Sequence, residues 1–322
     1  MNNMWSNPGA QREEMQRALT VSSAGSILVQ AVINRVVQAL TLRYFGIFST
    51  LDHKPGMGPA SYQNRRAPGT TSAQWLADTT EPDEDSGTYT QASFTYRTIV
   101  SRGKVTRRLQ AIGRSYADNM ATEIVQRVDD LTDSLESAAV VGNAAANANQ
   151  INGLLTLINA VSGQVVANTT ANAGDGLRLS KLDEAIDKVK GNNADKLIFA
   201  SQKGSRLINN ALQAQQQFVN MTEVAGGFRT RTYNDIPIVI STGIPDDMTW
   251  VGASTSITVF SGSTTTALII VNKSHVWWED LTPMSVLPLA KASSQYDQFD
   301  VFTDCCIPLA NTKGGAILGG LA

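Results

Sequence analysis

The chain has 322 residues, 42 % of them hydrophobic and 17 % charged, with a formal net charge of −2. That length allows two domains, or one large discontinuous domain, around a real core. The near-neutral charge argues against a module that holds nucleic acid mainly by neutralising phosphates. The two cysteines, Cys305 and Cys306, are adjacent, which excludes a disulfide-stapled scaffold and a C-x-x-C motif, and reduced thiols fit the cytosol.

The opening Met1-Asn-Asn-Met-Trp lacks the basic-then-apolar order of a signal peptide. From Gln11 to about Tyr44 the pattern is helical, with a break near residues 22–26. Within it, Ile27 to Leu42 is apolar, but Gln30, Asn34 and Gln38 recur at steps of four beside Arg35, so the segment has a polar face and reads as an arm, not a membrane span. Residues 49–72 carry Pro55, Pro59, Pro68, Gly56, Gly58 and Gly69 and are expected to be an irregular loop. His53 has no second ligand at metal-binding spacing, and Gly56-Met-Gly does not complete a phosphate-binding motif.

Ala73 to Ala77, which includes Trp75, is expected to begin a strand. An acidic loop follows with Asp78, Glu81, Asp83, Glu84 and Asp85, and Thr88 to Tyr96 alternates as a second strand. An isolated two-stranded ribbon is marginal in water, and the sequence names no internal partner for it. The charge then reverses through Arg97, Arg102, Lys104, Arg107, Arg108 and Arg114, with no acid between Asp85 and Asp118. On the residues alone this is first read as a solvated charged surface; the alternative is that the acidic loop and basic neck pair between neighbouring copies in a salt-sensitive way.

Arg114 to Val141 is the longest predicted helix. Met120, Ile124, Val128, Leu131, Leu135 and Ala138 form one face, and Asp118, Glu123, Asp129, Asp130, Asp133 and Glu136 are placed mainly opposite it. At about 1.5 Å per residue it spans roughly 40 Å, which suits an extended spine. Gly142, Asn143, Gly153, Leu154 and Leu155 follow.

In this order the arm, the Gln74-Trp-Leu-Ala-Asp excursion with its acidic turn, the Ser86-Gly-Thr-Tyr-Thr strand, the basic neck, the spine helix and the Gly153-Leu-Leu segment resemble the major capsid proteins of tailed bacteriophages with the Hong Kong 97-type fold. The resemblance covers most of the chain and lies in order and spacing. It implies an α+β capsid fold with an N-terminal arm over 1–48, an extended β-hairpin E-loop over 49–100, a peripheral domain of 101–159 and 283–322 containing the spine helix 114–141, and an α/β axial domain over 160–282.

The rest of the chain is read against that expectation. Residues 160–178 are turn-rich. Leu179 to Lys190 is an amphipathic helix stopped by Gly191, Lys196 to Ser201 a buried strand, and Gln202 to Phe218 a second helix, giving a small α/β domain. Tyr233-Asn-Asp-Ile-Pro-Ile resembles a family strand in which glycine is common where Asp235 stands. Residues 267–280 read as one alternating strand, with His275 packed beside Trp277 and Trp278. The serines of this domain, Ser201 and Ser241 among them, have no G-x-S-x-G elbow around them. Phe299, Val301, Thr303 and Cys305 share a strand face, which separates Cys305 from Cys306 and favours two separately packed thiols. A terminal strand from Gly315 is expected to return beside the spine helix.

The function so implied is structural. Copies would assemble as pentamers and hexamers into an icosahedral head shell around a double-stranded DNA genome. The subunit-contact candidates are Trp75, Asp78, Glu81, Asp83, Glu84, Asp85, Arg97, Arg102, Lys104, Arg107 and Arg108. No catalytic, cofactor or metal residue is expected. The partners would be the chain itself, a separate scaffolding protein, portal and cement protein, and packaged DNA touched without sequence preference, with no membrane. The place would be the virion, assembled in the host cytoplasm. Lys54, the only lysine of the E-loop, is not expected to cross-link. The alternatives are an encapsulin-like nanocompartment shell, a soluble α/β hydrolase or transferase built on 180–280, and a β-rich adhesin or tail protein.

Overall fold

The computed structural model describes residues 46–66, 74–82, 84, 88–113, 119–214, 221–224, 228–251, 256–258, 264–290 and 295–322. The expected arm helix and the last residues of the helix predicted over 202–218 lie outside them. In chain order the elements are α1 (Gly46–Thr50), β1 (His53–Pro55), β2 (Ala60–Arg66), β3 (Tyr89–Thr95), β4 (Arg97–Thr106), α2 (Arg107–Gly113), α3 (Asn119–Val141), α4 (Leu154–Asn159), β5 (Val165–Ala167) and α5 (Leu179–Lys188). There follow β6 (Lys196–Ala200), α6 (Gln202–Ala214), β7 (Met221–Val224), β8 (Phe228–Tyr233), β9 (Ile236–Ile240), β10 (Thr249–Val251), β11 (Ser256–Thr258), β12 (Thr266–Asn272), β13 (Trp278–Pro288), β14 (Tyr296–Cys306) and β15 (Gly315–Leu321).

The chain divides into two compact units. One comprises Met1–Leu42, Lys104–Glu123 and Lys291–Asp297; the other comprises Arg43–Gly103, Ile124–Ala290 and Gln298–Ala322. In the first unit the basic neck winds into α2. Thr106 caps it by accepting the Leu109 N–H at 3.4 Å, and Gln110 Nε2 donates to Asp297 at 3.2 Å. Helix therefore begins before the predicted start at Arg114; residues 114–118 lie outside the described set.

The second unit holds two main sheets and two two-stranded ones, β10-β11 and β2-β3. The larger one has the order β5-β15-β12-β6-β9-β8-β7. Its central strands β6, β12 and β15 are buried at every position, as a sheet covered on both faces requires. On one face α5 contributes Leu179, Leu182, Ala185 and Ile186, and α6 contributes Ile208 and Leu212, against Ile198, Leu268, Ile270 and Leu318. On the other face Ile158 of α4 lies so close to Gly315 that an added Cβ would meet it at 2.7 Å. The smaller sheet has the order β1-β13-β14-β4, with Phe299, Val301, Thr303 and Cys305 buried along one side of β14 as the alternation predicts. Both thiols are free and buried.

Several expectations are corrected. Residues 49–72 are not without regular structure: they hold β1 and β2, and the ribbon pairs β2 with β3, while residues 74–77 form no strand. The reason is that β2, Ala-Ser-Tyr-Gln-Asn-Arg-Arg, has no apolar alternation and is held by backbone pairing. The run 267–280 is two strands. Asn272 ends β12 by accepting the Ser274 N–H at 2.8 Å, and His275 sits in the resulting turn. The terminal strand does not join the smaller sheet. It pairs antiparallel with β12 and parallel with β5, because its residues are apolar on both faces and need a sheet buried on both.

The end of α3 is fixed by glycines. Gly153 N donates to Gly142 O at 2.8 Å, and a Cβ on Gly153 would lie 2.6 Å from the carbonyl oxygens of both Ala138 and Val140. Backbone approaches backbone here, so neither position admits a side chain. Leu154 and Leu155 then turn into the core.

Candidate subunit-contact surface

The ribbon of β2 and β3 is built from backbone outward. Seven antiparallel pairs run from Ala60↔Thr95 to Arg66↔Tyr89, and beyond Ser61 its side chains are half-buried or exposed. Its root supplies the internal partner that the sequence did not reveal. Glu279 accepts from Ser61 Oγ at 2.6 Å, from the Tyr96 hydroxyl and from Trp277 Nε1 at 3.3 Å. Arg65 donates through Nε to Ala310 O at 3.0 Å and through Nη2 to Leu309 O at 2.5 Å. Lys54 Nζ stands 3.6 Å over the Trp277 ring, a cation–π contact.

His53 adds a second tie. Its Nδ1 is 2.7 Å from Asp280 Oδ2 and its Nε2 3.0 Å from Phe48 O, while its ring stacks on Trp278. Both neighbours are acceptors, so only the imidazolium satisfies both. The hydrogen bond to Asp280 accordingly raises its pKa above the ordinary value, against a lowering by burial.

Beyond the root the excursion is open to solvent. Trp75 is fully exposed and Leu76 exposed; Asp78, Glu81 and Glu84 are exposed as well. Asp83 and Asp85 lie outside the described residues. The basic candidates do not form one cluster. Arg102 forks onto Asp300, Nε to Oδ1 at 2.6 Å and Nη2 to Oδ2 at 2.8 Å, and this pairing holds the Asp300 carboxyl below the usual range. Lys104 Nζ lies 5.6 Å from the Tyr296 ring centroid. Arg107 and Arg108 are exposed on α2, and Arg97 is half-buried.

Arg97 lines a groove between α3 and β4 whose cavity is about 240 Å³; Ile99, Leu135, Ala138, Ile151 and Cys305 supply its apolar wall, and Asn149 and Gln150 line it too.

Glu136 is the residue that sequence reasoning missed, having been placed with the solvent-facing acids. It is 1 % exposed. Its Oε1 accepts the Ile47 N–H at 3.0 Å and its Oε2 the Phe48 N–H at 2.8 Å, and Ser241 Oγ donates to Oε1. Burial pushes its pKa up, opposed by these hydrogen bonds. The signal was its neighbourhood: Leu135 on one side and Ala138-Ala139-Val140 on the other, where α3 is buried nearly all round.

Ser201 and Ser241 are engaged within the fold. Ser201 Oγ accepts the Gly204 N–H at 3.0 Å and caps α6, and Ser241 is held by Glu136. A shallow depression of about 650 Å³ over α5 is lined by acids and lysines, among which Asp183 accepts from Tyr233 at 2.7 Å, Glu184 accepts from Lys181 at 2.7 Å and Lys188 donates to Gly163 O at 2.7 Å. Among the described residues there is no group of three metal-capable side chains, and no helix is long and apolar enough to cross a membrane.

A sequence profile of the SU10 major capsid protein family matches residues 63–322. The chain belongs to this family. It is a major capsid protein of the tailed-phage type, a structural component of the head shell and not an enzyme. No curated protein matches it in sequence. The fold is shared with the SrpI encapsulin of Synechococcus elongatus PCC 7942, at a TM-score of 0.65 and 13 % identity, covering 91 % of this chain and 95 % of that one. The capsid of Cyanophage A-1(L) matches at 0.63 and 12 % identity, covering 89 % and 96 %. The Mycobacterium phage Adephagia structure matches at 0.57 and 13 % identity, covering 90 % and 96 %. At these identities the similarity is one of fold, an α+β fold common to phage capsids and an encapsulin.

Proposed function

We propose that copies of this family member assemble as hexamers and pentamers into a closed icosahedral shell around double-stranded DNA. In this reading residues 1–48 are the arm and 49–100 the E-loop, α3 is the spine of the peripheral domain, and the larger sheet forms the axial domain that meets its counterparts around the symmetry axes. The terminal strand β15 belongs with the axial sheet and not with the peripheral domain. Scaffolding, portal and cement proteins would be its further partners, and assembly would take place in the host cytoplasm.

The observation that carries the reading is the excursion of β2 and β3. It is rooted firmly at Glu279 and Arg65, yet it presents a fully exposed tryptophan and an acidic connection, a cost that contact with another copy removes. Trp75, Asp78, Glu81, Asp83, Glu84 and Asp85 would face the neighbour, with Arg107, Arg108 and Arg97 as the basic counterpart. Arg102 and Lys104 contribute less, being engaged within their own chain. The shared fold with an encapsulin keeps one second reading, a nanocompartment shell; the family match favours the phage head.

Size exclusion with light scattering at about 0.05 M and about 1 M salt tests the charge pairing, because screening shortens from more than ~10 Å to ~3 Å across that range. Large species that dissociate or fail to form at high salt are expected. A small species of unchanged size in both would contradict the proposal.

A further inference from the structure

We propose that the Asp175-Gly176 pair is a site of spontaneous isoaspartate formation which the fold holds ready, while the fold blocks the same chemistry at Asn152-Gly153. The inference does not depend on the shell reading. The chain carries one Asp-Gly pair and one Asn-Gly pair. In both, a glycine amide unhindered by a side chain follows a side-chain carbonyl carbon, and glycine admits the close backbone approach that ring closure needs. Which pair reacts is then decided by local geometry.

At residue 175 the reacting atoms are already together. Gly176 N donates to Asp175 Oδ1 at 2.8 Å. Because Cγ carries that oxygen at about 1.2 Å, nitrogen and Cγ stand no more than about 4 Å apart, close to the ~3–3.5 Å of a near-attack arrangement. The backbone of Asp175 is fixed by β15: its N–H donates to Gly320 O and its carbonyl accepts from Ala322 N, both at 3.0 Å. Asn168, itself buried, acts as a positioning residue, donating to Asp175 O at 3.2 Å and to Gly176 O at 2.9 Å. Arg178 Nη2 steadies Oδ2 at 3.0 Å. Both reacting residues are exposed and nothing lies within 4 Å of a Cβ built on Gly176, so water reaches the bond and a ring has room to form.

At residue 152 the same atoms are held apart from the reaction. Gly153 N donates to Gly142 O at 2.8 Å, and Asn152 Oδ1 accepts the Ala144 N–H at 2.9 Å. Gly153 is buried against backbone. Cyclisation there has to break both bonds and part the junction, so it waits for unfolding.

The reaction at 175 balances with water alone. Gly176 N attacks Cγ of the carboxylic acid form; the N–Cγ bond forms, the Cγ–OH bond breaks, and the hydroxyl leaves with the amide proton as water. Water then opens the succinimide. Cleavage of N–Cγ restores aspartate, whereas cleavage between N and the α-carbonyl carbon leaves isoaspartate, with one more methylene in the main chain and a free α-carboxylate. That α-carbonyl is the acceptor for Ala322 N and Asn168 Nδ2, so conversion loosens the end of β15.

The full chain is aged warm near neutral pH, folded and in concentrated guanidinium chloride, until half of Asn152 in the denatured sample has reacted. Residues 128–178 form one tryptic peptide, and electron-transfer fragmentation locates isoaspartate at either position within it. The folded-to-denatured rate ratio is expected to be about one or more at residue 175 and below about one-tenth at residue 152. Gly176→Ala should slow the folded reaction at 175 at least about tenfold by displacing the attacking nitrogen, and hydrogen exchange over residues 315–322 should be faster in aged wild type than in fresh. A ratio at 175 no higher than that at 152, or Gly176→Ala isomerising at the wild-type rate, overturns the proposal.

Discussion

Replacing Gly153 by alanine probes the junction on which the spine helix ends. An added Cβ would stand 2.6 Å from Ala138 O, 2.6 Å from Val140 O and 2.7 Å from Gly142 N. All three are backbone atoms, so no side-chain rotation relieves the overlap. The φ of −78° is ordinary, which leaves sterics alone as the penalty. Overpacking of this kind costs about 1–3 kcal/mol. Parting the strands of the junction also removes the Gly153 N to Gly142 O bond and the one from Thr156 Oγ1 to Gly142 O at 2.7 Å, at about 1 kcal/mol each. The sum is roughly 3–5 kcal/mol, or a melting temperature lower by about 6–20 °C at ~2–4 °C per kcal/mol in a chain of this class. Differential scanning calorimetry of unassembled subunits measures it, with Gly176→Ala as control because nothing lies within 4 Å of a Cβ there and its φ is not in the left-handed range. A Gly153→Ala protein melting within about a degree of Gly176→Ala would refute the steric account.

Asn234 and Asp235 both have positive φ, 48° and 63°, in the two-residue turn between β8 and β9, where glycine is preferred second. Asp235→Gly should therefore stabilise by about 0.5 kcal/mol, relief of left-handed strain outweighing the added freedom of the unfolded chain, and urea midpoints will show it. His53 has a raised pKa, so its stabilisation is complete below the ordinary imidazole value of about 6.5 and is lost as pH rises through the folded value. The wild type should lose stability relative to His53→Gln as the pH rises above about 6.5; parallel curves would contradict the double-acceptor geometry. Burial pushes the Cys305 thiol up to about 12 and Cys306 higher still. Since thiolate is the reactive form, a thiol-specific chromogenic reagent near neutral pH should label neither until denaturant is added, and rapid labelling of the folded chain would show an open core.

The spine helix, the fully buried strand Lys196–Ala200, α5 and the inward face of β14 were legible because each carries an unambiguous period or an uninterrupted apolar run. What escaped were elements whose residues give no such signal. β2 is polar throughout and is specified by β3 and by Arg65 reaching backbone carbonyls far along the chain. β15 reads as any short apolar strand, and only the two-sided burial of the larger sheet decides where it goes. Of the contact candidates, composition singled out the acidic loop and Trp75, and those described are exposed. It could not show that Arg102 is spent on Asp300, since that partner is 198 positions away. Glu136 was misplaced because helical period alone assigns acids to the wet face, whereas the last two turns of α3 are buried nearly all round, with Ser137 exposed.

The central claim is that this chain closes a shell with copies of itself. Electron microscopy of the purified full-length chain, first in negative stain and then in vitreous ice, measures that directly. Closed particles or curved sheets with five- and six-fold clusters, α3 running tangentially and the β2–β3 ribbon reaching a neighbour, are the predicted result. A uniform field of monomers or dimers, unchanged at high protein concentration, would contradict it.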